Sequence, residues 1–596
     1  MGIPQFKRHL EPYAERALIE PCNVVLDGPA LAYHILNLCS RTRRKGSPLE
    51  QPSYQLLGKT AVAWLHRIQA CGLSVSAIYF DGYLPNSKRN ERIQRLLKSS
   101  RDLIRYHSTF LTGVPKGRAD GGGDADADLF PSAWPGEHKA KPPPPPFLVP
   151  AIIDALRESS EFSSCVRLVP GEADGFCAEH VRRHGGTVLT SDSDLLVHDL
   201  GETGGVIFFP DIDAGVEMET LVAPQYRPAD LCRRLSLRPE TGLQYLAFEV
   251  SRDPHLTLEQ AIEKSKRREA IPASGEEYSN FMEQYHSPGV ASQFQTDEVP
   301  TLDPRLSELF LRAFRGSKKA VAPVSEPGPG NGLDIYLPFL LDCPNRASAW
   351  EASKPVRQLS YAILQSFCGN SIPSVTETRR LQSVSSGSRV EVPKPTEAKE
   401  LGTFLLTLCT EIEDGISDSE SIWVVLSVYQ DIVMTLDRGR GNPLSLALLE
   451  QEARGGLDQC SWDFLHLVAQ AQATYYSLRM LRQIIELSAQ YTGSLCTTMS
   501  ELARFLSRLP SLPGFPTCKN FLENLQRARE AGLLSCLRSL CVGYGDIILQ
   551  IQSIEQPPES KRPKKKRRTM PPSSQKTAEP RSSNPFNLLA AKGEEL

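Results

Sequence analysis

Asp27, Asp81, Glu172, Asp174, Asp192 and Asp194 all lie at the downstream ends of short apolar runs in the first third of a 596-residue chain. Asp27 follows Asn23-Val24-Val25-Leu26, and Asp81 follows Ala77-Ile78-Tyr79-Phe80. Glu172 and Asp174 follow the run from Val166 to Gly171, and Asp192 and Asp194 follow Thr187-Val188-Leu189-Thr190. Carboxylates crowded in one place raise one another's pKa values unless cations intervene. A hard divalent cation is the natural partner, because Mg²⁺ takes oxygen ligands and keeps waters and substrate phosphates in its shell. The chemistry expected of such a set is two-metal phosphodiester hydrolysis.

The positioning elements follow from the same runs. Short Val- and Ile-rich segments alternating with helical stretches read as strands of a parallel α/β sheet. Such sheets bind ligands outside the carboxyl ends of their strands, so four chain segments would deliver carboxylates to one edge. Taken singly, each acid has an ordinary reading as a turn former or helix cap.

Met1-Gly2-Ile3-Pro4, Val24-Val25-Leu26-Asp27 with Tyr33 six residues on, Tyr79-Phe80-Asp81-Gly82, Gly171-Glu172-Ala173-Asp174 and Thr190-Ser191-Asp192-Ser193-Asp194 occur in that order. This series resembles the motifs of the flap endonuclease and xeroderma pigmentosum group G (XPG) nuclease superfamily over roughly residues 1 to 255, and the later layout resembles its Asteroid branch. The resemblance implies a PIN-like α/β domain that cuts nucleic-acid backbones with two Mg²⁺ or Mn²⁺ ions. It assigns the six acids to the metals and, more loosely, adds Asp253 as a seventh ligand. It also assigns Gly2, Tyr33, Lys88, Arg92 and Arg95 to nucleic-acid contact, Tyr33 by stacking on a base.

Lys88 and Arg95 lie seven and fourteen residues past Asp81, and Arg92 shares their helical face. Residues 87–106 carry seven basic side chains against Glu91 and Asp102, and Ile93, Leu96, Leu97 and Ile104 fall on the opposite side. The pattern predicts an amphipathic basic arch helix whose cations meet phosphates. Beyond Asp253 the chain departs from the family, since Leu256 to Lys266 lacks the glycine turn of its helix-hairpin-helix element. The segment 113–147, with Gly121-Gly122-Gly123 and the run Pro142 to Pro146, has the composition of a flexible insertion.

The organisation expected is a nuclease domain over 1–253, a linker or insertion over 254–333, a mostly α-helical domain over 334–556 and a disordered tail over 557–596. Within the tail, Lys561, Arg562, Lys564, Lys565, Lys566, Arg567 and Arg568 form a compact basic run. It reads as a nuclear localisation signal for an import receptor, so the expected location is the nucleus, with the cytoplasm as an additional one. The net charge of −3 hides local clusters of both signs. Fourteen cysteines without a Cys-x-x-Cys pair exclude a zinc ribbon and fit reduced thiols. No uncharged apolar stretch reaches membrane-spanning length, so no membrane partner is expected. Two functions remain: a structure-specific, metal-dependent endonuclease of branched or single-stranded-ended DNA, serving DNA repair, or a catalytically silent PIN-like scaffold that binds nucleic acid or an RNA-regulatory complex.

Overall fold

The computed structural model describes residues 2–40, 47–84, 88–116, 127–131, 142–215, 219–239, 241–270, 276–285, 302–315, 333–368, 371–380, 387–439 and 441–555. The basic run at Lys561–Arg568 lies outside them, as does the rest of the tail from 556.

The first half is an α/β unit. Helix α1 (Phe6–Leu10) precedes strands β1 (Glu15–Leu18) and β2 (Cys22–Asp27), then helices α2 (Gly28–Ser40) and α3 (Tyr54–Ala70). Strand β3 (Leu73–Asp81) leads into the basic helix α4 (Arg89–Thr109), and α5 (Leu148–Glu158) into β4 (Val166–Val169). Helix α6 (Ala173–His184) is followed by β5 (Thr187–Thr190), β6 (Gly205–Phe208), β7 (Asp213–Ala214) and β8 (Leu221–Gln225). Five strands form one sheet in the order β4-β3-β2-β5-β6. Every pairing in it is parallel, so all five point their carboxyl ends the same way. The α/β expectation is borne out, and each carboxylate-bearing run is a strand as read. Its strands are apolar on both faces because helices cover both sides, with Val24, Leu26 and Ile78 in one core and Val25, Ala77 and Val188 in another.

Helices α7 (Pro228–Arg234), α8 (Gly242–Arg252), α9 (Leu258–Ala270), α10 (Glu276–Met282) and α11 (Pro304–Arg315) come next. The last of these buries Leu306, Leu309, Phe310 and Leu311 completely or nearly so, and is part of the main core. A small sheet then appears that the helical pattern of the second half did not announce. Strand β9 (Leu333–Tyr336) pairs in parallel with β10 (Ser374–Thr378), which pairs antiparallel with β11 (Ser388–Glu391). Between them lies α12 (Lys354–Cys368).

The rest is helical, as expected: α13 (Pro395–Gly415), α14 (Ile422–Asp437), α15 (Leu444–Ala453), α16 (Trp462–Thr492), α17 (Thr497–Leu506), α18 (Phe521–Glu530), α19 (Leu533–Leu540) and α20 (Gly545–Glu555). Helix α16 is the axis of this half. Ser461 caps its start by accepting the Phe464 N–H at 3.1 Å, and Gly493 ends it in the left-handed conformation that glycine tolerates. It is buried nearly all round, the mark of a helix enclosed by others, with polar side chains such as Gln470, Ser477, Arg479 and Gln483 among the buried ones. One continuous apolar core runs from Ile19 to Ile554 and so joins the sheet's outer layer to the helical half.

Helix α4 differs from its sequence reading in which way it faces. Its buried stripe is Arg92, Ile93, Ser100, Leu103, Tyr106 and His107, while Ile104 is exposed. The apolar stripe is thus rotated toward Arg92, because the helical half supplies a second surface to pack on. Arg89, Arg95, Lys98, Arg101 and Arg105 remain exposed. Of the residues between α4 and α5, only 110–116, 127–131 and 142–147 are described; there Gln51 holds the Pro143 carbonyl at 2.6 Å and Phe147 stacks on Tyr476 at 4.7 Å.

Candidate active site

The sheet's carboxyl edge gathers the six acids. Asp27 ends β2 and is buried, its Oδ2 accepting the Thr190 hydroxyl at 2.7 Å and its Oδ1 the Ala30 N–H at 3.2 Å. Asp81 ends β3, and its Oδ1 accepts the Ala173 N–H at 2.8 Å. Glu172 occupies the N-cap position of α6, and Asp174 lies in that helix's first turn. Asp192 Oδ1 accepts the Asp194 N–H at 3.1 Å, and the Asp192 N–H donates to Thr190 Oγ1 at 3.0 Å. The Thr190 hydroxyl therefore ties β5's acids to Asp27. Asp194 Oδ1 accepts the Ile3 N–H at 2.9 Å, which brings the chain's start to the same edge.

Burial, and for most of them neighbouring charge, raises the proton affinity of five of these acids. Burial pushes Asp27 up to about 7, with Asp81 and Asp192 adding repulsion. Glu172 also rises to about 7, mainly by burial, and Asp81 opposes what Lys88 relieves. Asp194 rises to about 6 through burial and then Asp192. Asp174 is raised well above the usual carboxylate range, first by burial and then by Asp27, Asp192, Asp81 and Glu172. Asp81 is raised by burial and eased by the Ala173 N–H and then by Arg305, Arg92 and Arg95.

An all-oxygen donor set with this mutual repulsion has the chemistry that suits Mg²⁺ or Mn²⁺. Among the described residues, however, no group of three or more His, Cys, Asp or Glu side chains stands arranged to hold a metal ion. The donors fit in kind, and the side chains would have to draw in, or act through water, to fit in spacing.

The other assigned residues divide. Gly2 has φ +96°, and a Cβ there would collide with Asp192 Oδ1 and Ser193 Oγ, so glycine lets the chain's start lie against the acids. Tyr33, on α2, is 43% exposed and available to a stacking partner. Lys88 Nζ lies 3.8 Å from Glu172 Oε1 and 3.7 Å from Glu91 Oε2. Arg95 is exposed and paired with Glu91.

Arg92 does not join them. It is buried, both Glu308 oxygens sit 2.8 Å from its Nη1, and its guanidinium lies 4.3 Å from the centroid of the Tyr336 ring. Its place on a phosphate-facing surface is corrected: the face it occupies is covered by α11 and β9. Asp253 ends α8 and accepts the His255 N–H at 3.1 Å, and among the described contacts none joins it to the six acids. One residue escaped sequence reasoning altogether. Tyr285 is buried with its hydroxyl bonded to Asp194 and its ring 5.4 Å from that of His198. It lies over ninety residues beyond Asp194 in a polar stretch, so nothing local marks it.

A parallel sheet with these carboxylates at its carboxyl edge and a mostly helical second half is the arrangement expected of an XPG-type, PIN-like nuclease, and comparisons with known proteins point the same way. Residues 144–392 match the family model described as XPG domain containing, a range that takes in Glu172, Asp174, Asp192 and Asp194 and runs on through α11 to β11. Asteroid homolog 1 of Schizosaccharomyces pombe (strain 972 / ATCC 24843) is 22% identical over 383 residues, covering 61% of this chain. The chain spans 60% of the length of that curated relative. Both halves of the resemblance read from the sequence, superfamily and branch, are borne out. Among solved structures, the catalytic core of Rad2 in complex with DNA substrate matches 50% of this chain and 76% of that one at 16% identity, with a TM-score of 0.24.

Proposed function

We infer that the protein is a divalent-metal-dependent, structure-specific endonuclease that hydrolyses phosphodiester bonds of branched or single-stranded-ended DNA, with RNA as the alternative backbone. The observation that carries this reading is the set of six carboxylates that four chain segments bring to one sheet edge; burial raises the proton affinity of Asp27, Asp81, Glu172, Asp174 and Asp194, and neighbouring acids add to it in all of these but Asp81. Strongly perturbed acids at the carboxyl edge of a parallel sheet are a functional-site signature, since a structural role has no use for such repulsion.

Asp27, Asp81, Glu172, Asp174, Asp192 and Asp194 would hold two Mg²⁺ or Mn²⁺ ions. When bound, such ions supply Lewis acidity and lower the pKa of a coordinated water. The chain's own contribution is orientation. Thr190, the Ala30 and Ala173 N–H groups and the Ile3 N–H each fix a carboxylate oxygen before any ligand arrives. Lys88 and Arg95 flank the acids with positive charge suited to the phosphate's non-bridging oxygens. Tyr33 offers a π-face that accepts any base. The basic run at Lys561–Arg568 supports a nuclear setting, and cutting branched DNA there would serve DNA repair.

The second reading, a silent PIN-like scaffold, is favoured by one observation: among the described residues no metal-ready group of three is formed. Cleavage of end-labelled single-stranded, flapped, overhang and duplex DNA and RNA by the purified protein with Mg²⁺ or Mn²⁺ decides between them. The nuclease reading expects metal-dependent products that Asp192→Ala abolishes. Binding without cutting on every substrate would establish the scaffold instead.

A further inference from the structure

The charge balance around Glu308 is uneven. Helix α11 runs beside the loop that follows Asp81: a Cβ at Gly82 would lie 3.0 Å from Ser307 Oγ, and Arg312 Nη2 donates to the Leu84 carbonyl at 3.1 Å. Three guanidiniums there face one carboxylate. Arg92 donates to Glu308 at 2.8 Å and Arg312 at 2.9 Å, and both side chains are largely buried. Arg305 approaches Glu308 only to 3.7 Å, and its side chain stays 40% exposed. Three positive charges against one negative leave two in excess, and the exposed one belongs to Arg305. Arg305 stands two residues before Ser307, which faces Gly82, the residue after Asp81.

We propose that Arg305 binds a backbone phosphate of the nucleic acid at the carboxylate edge, taking from α11 the position that Arg92 has given up to Glu308. This rests on the nucleic-acid reading above and adds to it a contact from outside the α/β unit. A guanidinium beside a carboxylate already served by two others has donors to spare, and its planar fork matches two phosphate oxygens. Lys88 and Arg95 come from the start of α4 and Arg305 from α11, so a strand reaching Asp81 would be met by cations from two elements.

The test uses the full chain and a fluorescein-labelled single-stranded oligodeoxynucleotide, with Ca²⁺ replacing Mg²⁺ so that cutting does not intervene. Anisotropy gives affinity over about 50 to 200 mM salt. Arg305→Gln is expected to weaken binding about tenfold and to flatten the log–log salt slope by about one unit. Arg305→Lys should keep the slope and recover part of the affinity. Melting temperature should be unchanged in both, since Glu308 keeps Arg92 and Arg312. Unaltered affinity and slope in Arg305→Gln would overturn the proposal, as would equal loss in both variants with a lowered melting temperature. Failure of the wild type to bind at all would overturn this proposal and the nucleic-acid reading together. An Arg305 effect on binding in a protein that never cuts would uphold the proposal and sink only the catalytic part of that reading.

Discussion

Trp462, the first residue of α16, donates its indole N–H to the carbonyl of Phe110 at 2.7 Å, just past the end of the basic helix α4. The fastening continues on either side: His107 packs on the same indole at 4.7 Å, and the Val114 N–H donates to Cys460 at 2.8 Å. At its other end α4 is held by Arg92 on Glu308. The helix that carries the phosphate-facing cations is therefore splinted along its length by the second half of the chain.

Trp462→Ala removes that fastening. It should cost about 3 to 5 kcal/mol, the usual range for deleting a large aromatic from a packed site. Amide hydrogen exchange should quicken from Tyr106 to Val114 more than in β2 or β3. Unchanged protection there would show that α4 is held by something else.

Gly2→Ala introduces a Cβ that collides with Asp192 and Ser193, at a φ that an alanine rarely adopts. Because a 1 Å misplacement can cost about a hundredfold in rate, cleavage should fall by about that factor. Melting temperature should barely move, since Gly2 is exposed and packs nothing into the core. Wild-type turnover in this variant would remove Gly2 from the site.

Asp174→Asn deletes the charge that four neighbouring acids oppose. In EDTA its melting temperature should equal or exceed that of the wild type, and its stabilisation by Mg²⁺ should be lost. Marked destabilisation in EDTA would mean that Asp174 is a structural group instead.

Stability should depend on pH and metal together. Folded Asp27 and Glu172 titrate near 7 and Asp194 near 6, against about 4 for unfolded carboxyls. Folded acids thus hold extra protons between those limits, and their effect on stability grows less favourable as pH rises from about 4 to 7. Cations compete with the same protons, so the gain in melting temperature on adding Mg²⁺ should be small at pH 5 and large at pH 8. Buried His198, held down to about 4, and His466, held to about 3, destabilise in acid with or without metal, and the Mg²⁺-minus-EDTA difference cancels them. A difference independent of pH would contradict shared protons and metal.

Glu377 is buried among Arg357, Arg379 and the Tyr361 hydroxyl, and sits near pKa 2 despite its burial because the two guanidiniums and their hydrogen bonds outweigh it. Glu377→Gln leaves Arg357 as an uncompensated buried charge and should cost about 3 to 5 kcal/mol in chemical denaturation. A change below about 1 kcal/mol would show that the network rearranges around the loss.

The strand ends were legible because an apolar run closed by an acid is a local pattern, and Asp27, Asp81, Glu172, Asp174, Asp192 and Asp194 all lie where that pattern puts them. The direction in which Arg92 faces was not, because it is set by Glu308, more than two hundred residues away. Tyr285 and Arg305 were hidden for the same reason: each reaches the site from far along the chain, Tyr285 from a polar stretch and Arg305 from α11, within the span read as a linker. Strands β9 to β11 escaped because short strands among long helical stripes carry little period of their own.

Binding of Mn²⁺ to the purified protein, followed by electron paramagnetic resonance, bears most directly on the claim that the six acids form a metal centre. The account predicts two ions per chain with a spin-coupled signal, reduced to one or none by Asp174→Asn. No Mn²⁺ bound at millimolar concentration, or binding that Asp174→Asn leaves untouched, would contradict it.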